Sequence, residues 1–271
     1  MGKQDENSVS AVPVAPWQGG KRNLAKRVCA LIDGHDHVTY VEPFVGMGGI
    51  FLRRNRRAKA EVINDFSKEI GNLFRILQRH YPQFLDTLRF QLTTRTEFNR
   101  LVDTNPDTLT DLERAARFLY LQRTAFGGKV SGRNFGVSKE RPARFNLTTL
   151  EPMLEDLHTR LAGVVIECLD WSDVLRRYDG AGTFFYLDPP YWGCENDYGK
   201  AMFERSDFEA MADQLGRIQG SFLLSINDVP AIRETFKAFN MLEVQTTYTI
   251  GKAGRGYNAE LLFSNVDFTG G

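Results

Sequence analysis

The stretch of sequence that decides the fold spans residues 38–49 and reads V-T-Y-V-E-P-F-V-G-M-G-G. Its first half has the β-branched and aromatic character of a strand, Gly46 and Gly48 then interrupt it, and Ile50 to Arg54 is expected to open a helix. Glycines here let a ligand approach the backbone, and the next helix presents N–H groups to it. A ligand loop is therefore predicted, although a tight turn would give the same pattern and the spacing differs from the dinucleotide fingerprint.

A second strand and helix follow directly. The apolar run from Ala60 to Ile63 predicts a strand that ends at Asn64-Asp65, and a helix is predicted from Ser67 to Leu77. An acid at the end of the second strand is well placed to accept hydrogen bonds from ribose hydroxyls, whereas a helix N-cap is the alternative role for Asp65. The glycine loop and this acid together predict a cofactor that contains adenosine.

The rest of the chain completes an α/β pattern around a helical segment. A glycine turn at Pro16 to Lys21 precedes a helix predicted from Arg22 to Ile32. Strand signals are absent from Tyr81 to about Asn146, where the clearest helix is Leu112 to Arg123. Further strands are predicted at Gly163–Cys168, Thr183–Leu187, Phe222–Ile226 and Leu242–Tyr248, with a helix at Asp207–Ile218.

This succession of elements predicts the domain organisation. We expect a doubly wound, mostly parallel α/β sheet in one discontinuous domain of residues 13–78 and 147–271. Residues 79–146 form a helical insert in this prediction, and the polar residues 1–12 form a disordered tail.

The strongest chemical signal is Asp188-Pro189-Pro190-Tyr191, which comes directly after the apolar run T-F-F-Y-L. Two prolines at a strand exit fix a rigid loop whose carbonyl oxygens stay available as acceptors. The Asp188 carboxylate and a proline carbonyl can each accept one hydrogen of an exocyclic amine, while Tyr191 stacks on the base. The motif therefore predicts attack of a base amine on an incoming methyl group, and a rigid loop without chemistry is the alternative.

Composition and spacing exclude several classes of protein. The 34 basic and 34 acidic residues give zero net charge, so any surface that binds phosphate must be local. Cys29, Cys168 and Cys194 lack the spacing of metal ligands, and a disulfide framework is not expected. No apolar run reaches membrane-spanning length. We therefore expect a cytoplasmic protein without a metal site or a membrane partner.

These motifs, in this order, resemble the Dam-like family of DNA adenine N6-methyltransferases in the arrangement where cofactor motifs precede D-P-P-Y. The W-x-G-G-K element is matched from Trp17 to Lys21, E-P-F-x-G-x-G from Glu42 to Gly48, and a later D-W element by Asp170-Trp171. Weaker similarity is found at Tyr198-Gly199-Lys200, Met202-Phe203, Asp228 and Glu260-Leu261-Leu262.

The resemblance implies a Rossmann-like methyltransferase fold with a target-recognition insert, and S-adenosylmethionine as cofactor. It implies that the cofactor is contacted by Trp17, Lys21, Glu42, Phe44, Gly46, Gly48, Asp65, Asp170 and Trp171. An adenine would be flipped out of double-stranded DNA and methylated on N6 at a catalytic site formed by Asp188, Pro189, Pro190 and Tyr191.

The insert carries a local group of cations that is expected to contact DNA. Six basic residues there, Arg141 among them, are opposed only by Glu140. The predicted DNA contacts are Arg123, Lys129, Arg133, Asn134, Lys139 and Arg144. A solvated surface loop is the alternative. Where the family often has F-N-G-L-x-R, this chain has Gly127 after Phe126, which predicts looser site selectivity.

Other acceptors and one other class of protein stay open at this point. The N4 amine of cytosine has the same donor geometry as N6 of adenine, and an RNA base or a protein glutamine amide would undergo the same chemistry. A DNA-binding protein with a degenerate methyltransferase fold is the rival of another class. Neither the target site nor the oligomeric state follows from the sequence.

Overall fold

A computed structural model describes residues 11–17, 19–130, 132–137, 139–140, 142–195, 203–247 and 257–268. The strands of these residues are β1 (Thr39–Glu42), β2 (Ala60–Asn64), β3 (Val165–Glu167), β4 (Thr183–Leu187), β5 (Ser221–Asn227), β6 (Asn240–Thr247) and β7 (Tyr257–Ser264). They form one sheet in the order β3-β2-β1-β4-β5-β7-β6.

The sheet is mostly parallel, which confirms the predicted α/β fold. Strands β1 to β5 pair in parallel, and β7 is antiparallel to both β5 and β6. The chain proceeds outward from β1 through β2 to β3, and then starts again at β4 on the other side of β1. In open α/β sheets, a crevice forms at the carboxyl ends of the strands where the order reverses in this way. The ends of β1 and β4 are therefore the expected place of a site.

Helices cover both faces of the sheet. They are α1 (Ala25–Asp33), α2 (Lys68–Arg79), α3 (Tyr81–Leu88), α4 (Arg95–Asp103), α5 (Asp111–Thr124), α6 (Leu147–Arg160), α7 (Trp171–Tyr178), α8 (Arg205–Leu215) and α9 (Pro230–Thr235). One core cluster lies between the sheet and α1, α2, α5 and α6, and α7, α8 and α9 form the other on the opposite face.

The predicted insert is helical, and α5 packs against α2 and α3. The N-cap of α5 is a capping box in which Thr110 and Glu113 bond reciprocally, which gives this helix a well-defined start. The division of the chain at residues 79 and 146 stays a prediction. Residues 1–10 of the predicted tail lie outside the described residues, whereas Ala11 and Val14 are buried.

One predicted helix is wrong. The segment that was expected to open a helix at Ile50 forms a single 3-10 turn at Phe51–Arg53, and the backbone is extended at Arg54. The Arg54 side chain is 1% exposed, stacks 3.7 Å over the Tyr40 ring and pairs with Glu61 at 3.3 Å. This buried ion pair with the neighbouring strand β2 favours an early end to the helical turn.

Candidate active site

The crevice at the carboxyl ends of β1 and β4 holds the chemical motifs. Val41 of β1 lies opposite Phe185 of β4 in the parallel register. The E-P-F loop that begins at Glu42 and the D-P-P-Y loop that begins at Asp188 therefore leave the sheet side by side. The parallel pairing of β1 with β4, which are distant in the chain, places these two motifs together.

The centre of the site is an ion cluster around Lys21. Its ammonium nitrogen lies 2.9 Å from Oδ1 of Asp188, donates a hydrogen bond of 2.7 Å to the Tyr191 hydroxyl, and also pairs with the Glu260 carboxylate. It sits 4.3 Å from the centre of the Tyr191 ring. The Ser225 hydroxyl donates to the same Oδ1 of Asp188 at 3.3 Å. Lys21 therefore contacts the D-P-P-Y motif, and the cofactor contact predicted for it stays a prediction.

The Asp188 carboxylate is held for use as an acceptor. Burial raises the pKa of Asp188 to about 6, Lys21 acts to lower it, and Glu260 acts to raise it. The group is thus ionised at neutral pH. In the described part of the chain, the contacts of Lys21 and Ser225 are both made to Oδ1. Neither of these contacts involves Oδ2 of this side chain, which is 22% exposed.

Glu42 lies at the end of β1 and is only 2% exposed. Its Oε2 accepts a hydrogen bond of 2.7 Å from the Tyr40 hydroxyl. The pKa of Glu42 is raised to about 8, mainly by burial; the Tyr40 hydrogen bond acts to lower it, and the charge of Asp188 acts to raise it. Glu42 is therefore protonated at neutral pH, and its predicted cofactor contact would have to reach a buried carboxyl group.

Asp65 joins the loops that follow β1 and β2. Its Oδ2 accepts a hydrogen bond of 3.0 Å from Gly46 N, and its Oδ1 accepts one of 2.9 Å from Ser67 N. Burial raises the pKa of Asp65 to about 6. The next residue, Phe66, is 48% exposed. A carboxylate and an exposed aromatic ring are thus presented side by side at the end of β2.

Trp17 covers the glycine loop. Gly46 has φ +50°, and a Cβ atom at this position would lie 2.8 Å from Nε1 of Trp17. Gly48, with φ +76°, would similarly meet the Leu52 side chain at 2.8 Å. Both positions therefore exclude larger residues for two reasons, the backbone angle and the lack of space. Phe44 lies beside this loop, with its ring edge-on to Phe203 at 5.9 Å.

The D-W element has a structural role in this fold. The Asp170 carboxylate accepts from Ser172 N at 2.9 Å and is the N-cap of α7. Trp171 is 6% exposed and belongs to the core cluster of α7, α8 and α9. Its ring therefore packs inside the protein, and the cofactor contact predicted for this pair stays a prediction.

The structure turns two of the six predicted DNA contacts inward. Arg123 donates to the carbonyl oxygens of Val14 and Arg144, the latter at 3.0 Å. Arg133 donates to the Lys129 carbonyl at 3.1 Å and to Oε1 of Gln122 at 3.3 Å, and burial lowers its pKa to about 10. The other four side chains are exposed, namely Lys129, Asn134, Lys139 and Arg144. Arg141 lies outside the described residues.

Sequence reasoning missed several residues that build the site. Glu260 was noted for similarity alone, and nothing in a strand sequence predicts that its side chain meets Lys21. Asn64 has no motif signal, yet it donates to the carbonyls of Pro43 and Leu169 at 2.8 and 3.1 Å and so holds two loops together. Such residues are found only when distant segments are seen in contact.

Neither a metal site nor a membrane-spanning helix is found among the described residues. No group of three or more His, Cys, Asp or Glu side chains is arranged to hold a metal ion among them. No helix in this part of the chain has the length and apolar character needed to cross a membrane.

Comparison with known proteins gives a consistent family. Residues 17–250 match the D12 class N6 adenine-specific DNA methyltransferases. The Type II methyltransferase M1.LlaDCHI of Lactococcus lactis subsp. cremoris is 27% identical, over 98% of this chain and 99% of its own. The Type II methyltransferase M.CviBI of Paramecium bursaria Chlorella virus NC1A is 24% identical over 87% and 90%. The DNA adenine methylase of Haemophilus influenzae is 24% identical over 89% and 88%.

Proposed function

Because the chain belongs to the D12 class of N6 adenine-specific DNA methyltransferases, we propose how its own residues carry out that reaction. The enzyme methylates N6 of adenine in DNA. The observation that carries the proposal is the carboxylate of Asp188, which Lys21 and Ser225 hold by one oxygen directly after β4. An anchored carboxylate suits an exocyclic amine.

The methyl donor in this proposal is S-adenosylmethionine, which supplies an electrophilic methyl group when bound. The residues present fit such a group. Asp65 would accept hydrogen bonds from the ribose hydroxyls, since its carboxylate stands at the end of β2. Phe66, 48% exposed beside it, offers an aromatic face to the adenine ring. Gly46 and Trp17 would line the same end of the crevice, because Trp17 packs directly on Gly46.

The remaining residues that were predicted to contact the cofactor differ in their exposure. Phe44 and Gly48 belong to the loop that borders the crevice, and Asp170 would contact the adenine through its partly exposed carboxylate. Glu42 and Trp171 are buried and would support the site from beneath. Lys21 serves the catalytic aspartate in this proposal.

The target adenine would leave the duplex and enter at the D-P-P-Y loop. One N6 hydrogen would be accepted by Asp188 and the other by the Pro189 carbonyl, with Pro190 keeping the loop rigid and Tyr191 stacked on the base. Fixing both hydrogens aims the nitrogen lone pair at the methyl group. After the transfer, the surplus N6 proton would pass along its hydrogen bond to the Asp188 carboxylate and from there to solvent, so no base has to remove a proton beforehand. The negative carboxylate stabilises the positive charge that develops on N6.

The exposed cations of the insert would hold the DNA backbone. Lys129, Lys139 and Arg144 lie in the loop that follows α5, with Asn134 exposed among them. Arg123 and Arg133 would shape this loop from inside, because their guanidinium groups bond to backbone and amide oxygens. Double-stranded DNA is the partner that this arrangement supports.

Gly127 bears on the strictness of recognition. It has φ +70°, a backbone angle that glycine adopts freely and that asparagine tolerates better than most residues. A glycine can thus replace the family's asparagine without any change in the turn, while the amide group that could read a base is lost. We propose that site selectivity is looser for this reason, and a methylome with a single invariant site would contradict this.

Calorimetric titration with S-adenosylmethionine tests the proposed cofactor site. Wild-type protein should bind the cofactor, and Asp65→Asn should weaken binding at least about 10-fold because hydrogen bonds to a charged acceptor are lost. Asp36→Asn is the control, since the Asp36 side chain is 96% exposed in a surface loop. Unchanged binding by a folded Asp65→Asn variant would refute the assignment of the ribose site.

A further inference from the structure

We propose that Glu260 is a positioning residue for methyl transfer, and that it acts on Asp188 through Lys21. The inference rests on the proposed function, in which Asp188 accepts a hydrogen of the target amine. Glu260 lies on β7 opposite Asn227 of β5, at the same edge of the sheet as the D-P-P-Y loop. The insertion of β7 between β5 and β6 therefore brings this acid to the site.

Among the described residues, the Lys21 ammonium group has three oxygen partners. An ammonium has three N–H donors, and the oxygens of Asp188, Glu260 and Tyr191 surround this one. Lys21 and Glu260 are each only 2% exposed, while the Asp188 side chain is 22% exposed. Lys21 thus has a deeply buried anion behind it and the catalytic anion in front of it. Its flexible four-carbon stem would not fix the ammonium position without that second anion.

The charge balance explains why a second anion benefits the reaction. A single lysine beside a single aspartate would neutralise it and weaken it as an acceptor. Among the described residues of the cluster, one cation shared between two carboxylates leaves one net negative charge. Glu42, protonated at neutral pH because burial raises its pKa to about 8, adds no charge. Asp188 therefore keeps its acceptor strength toward an amine that becomes positive as the methyl group arrives.

Several titratable or polar groups lie around Asp188 on the elements packed against it. They are Lys21 before α1, Glu42 on β1, Tyr186 on β4, Tyr191 of the motif itself, Ser225 on β5 and Glu260 on β7. Lys21 lowers the pKa of Asp188, and Glu260 raises it. Changes at these two positions should thus shift the pH profile in opposite directions.

Glu260→Gln should have two effects that are measured together. The like charge is removed, so the pKa of Asp188 falls and the acidic limb of the rate profile moves about one pH unit lower. On the plateau of the profile the rate should fall on the order of 10-fold, because Lys21 is less well fixed and neutralises Asp188 more completely. A purely structural role for Glu260 would leave the position of the limb unchanged.

The experiment is single-turnover methylation of duplex DNA at saturating S-adenosylmethionine, from pH 5 to pH 9, with thermal unfolding measured alongside. Glu61→Gln is the matched control, since Glu61 is another buried carboxylate, 6% exposed and paired with Arg160 at 2.5 Å, at the start of β2. The control should lower the unfolding temperature and leave the acidic limb in place. A wild-type profile for folded Glu260→Gln would overturn the proposal.

A second pair of variants covers the case in which Glu260→Gln does not fold. Lys21→Met leaves two carboxylates facing each other, so its acidic limb should move upward. Adding Glu260→Gln to Lys21→Met removes that repulsion and should move the limb back down and recover part of the rate. If the acidic limb of the rate profile lay at the same pH in Lys21→Met and in the double variant Lys21→Met with Glu260→Gln, the proposal would also be overturned.

Two variants distinguish a failure of the proposed function from a failure of the role proposed for Glu260. If Asp188→Asn methylates DNA at the wild-type rate, the proposed function is wrong at this site. If Asp188→Asn is inactive while Glu260→Gln matches the wild type in rate and pH profile, only the role of Glu260 is wrong.

Discussion

The side chain of Gln122, at the end of α5, donates one hydrogen bond of 2.8 Å to the Pro16 carbonyl and one of 2.6 Å to the Gly128 carbonyl. Its Oε1 accepts from Arg133 at 3.3 Å. Gln122 is fully buried. One amide group therefore ties the segment that leads into Lys21 to the glycine turn of the insert.

Gln122→Leu should destabilise the protein and slow methyl transfer. The substitution leaves two carbonyl groups without this donor, and each such buried group costs about 1–3 kcal/mol. Chemical denaturation and single-turnover rates measure the two effects. Gln219→Leu, at an exposed position, is the control and should change stability by less than about 0.5 kcal/mol. Equal stability of Gln122→Leu and the wild type would contradict the linking role.

Asn227→Ala should reduce the methylation rate by about 10- to 100-fold while cofactor affinity stays the same. Asn227 accepts from Trp192 N at 2.9 Å and donates to Trp192 O at 3.1 Å, so it fixes the residue after Tyr191. Without these two hydrogen bonds, Tyr191, the residue proposed to stack on the base, is held less firmly. Rapid-quench kinetics and calorimetry measure the two quantities.

Asn265→Ala is a matched control for the Asn227 clamp. Asn265 accepts from Phe222 N at 3.0 Å and donates to Gly220 O at 2.9 Å, at the other end of β5. It should cost similar stability and leave the rate unchanged. If both variants slowed the reaction equally, general destabilisation would explain the effect.

Lys129→Ala and Lys139→Ala should weaken DNA binding about equally for all DNA sequences. Each should also reduce the slope of log affinity against log salt by about 0.9. Arg123→Ala should destabilise the fold and leave the slope unchanged, since Arg123 donates to the Val14 and Arg144 carbonyls. Fluorescence anisotropy at several salt concentrations measures the slopes. An unchanged slope for both lysine variants would place the DNA elsewhere.

Glu42 should make the unliganded protein less stable as the pH rises. Burial raises the pKa of Glu42 from its ordinary 4.5 to about 8, so between these values the folded state binds a proton that the unfolded state has lost. The free energy of unfolding should therefore decline with rising pH in this window, on the order of 1–3 kcal/mol. Denaturation at pH 5.5 to 8 tests this, and Glu42→Gln should show a shallower decline. A parallel decline would contradict the assignment.

Local sequence patterns predicted much of this fold. The strand Thr183–Leu187 matches β4 at both ends, because a buried parallel strand is apolar throughout and prolines end it. The helix predicted at Leu112–Arg123 is α5 within a residue at either end. Asp65 was expected at the end of β2, and it lies there.

The parts of the fold and of the site that were not predicted depend on contacts between distant segments of the chain. No strand was predicted at β7, although its residues complete the sheet between β5 and β6 and carry Glu260 to Lys21. The pairing of antiparallel partners far apart in the chain has no local signature. The helix expected at Ile50 is likewise prevented by Arg54, whose buried partner Glu61 lies on the next strand. Tyr198-Gly199-Lys200, Met202 and Tyr248 lie outside the described residues.

The identity of the methylated base, measured for the wild type and for Asp188→Asn, is the decisive test of the proposed site. Purified protein is incubated with unmethylated duplex DNA and labelled S-adenosylmethionine, and the digested nucleosides are measured by mass spectrometry. The wild type should yield N6-methyladenine. Asp188→Asn should bind cofactor and DNA yet lose at least about 100-fold in rate, since an acceptor for the developing charge is removed. N4-methylcytosine as the product, or a wild-type rate for Asp188→Asn, would contradict the account.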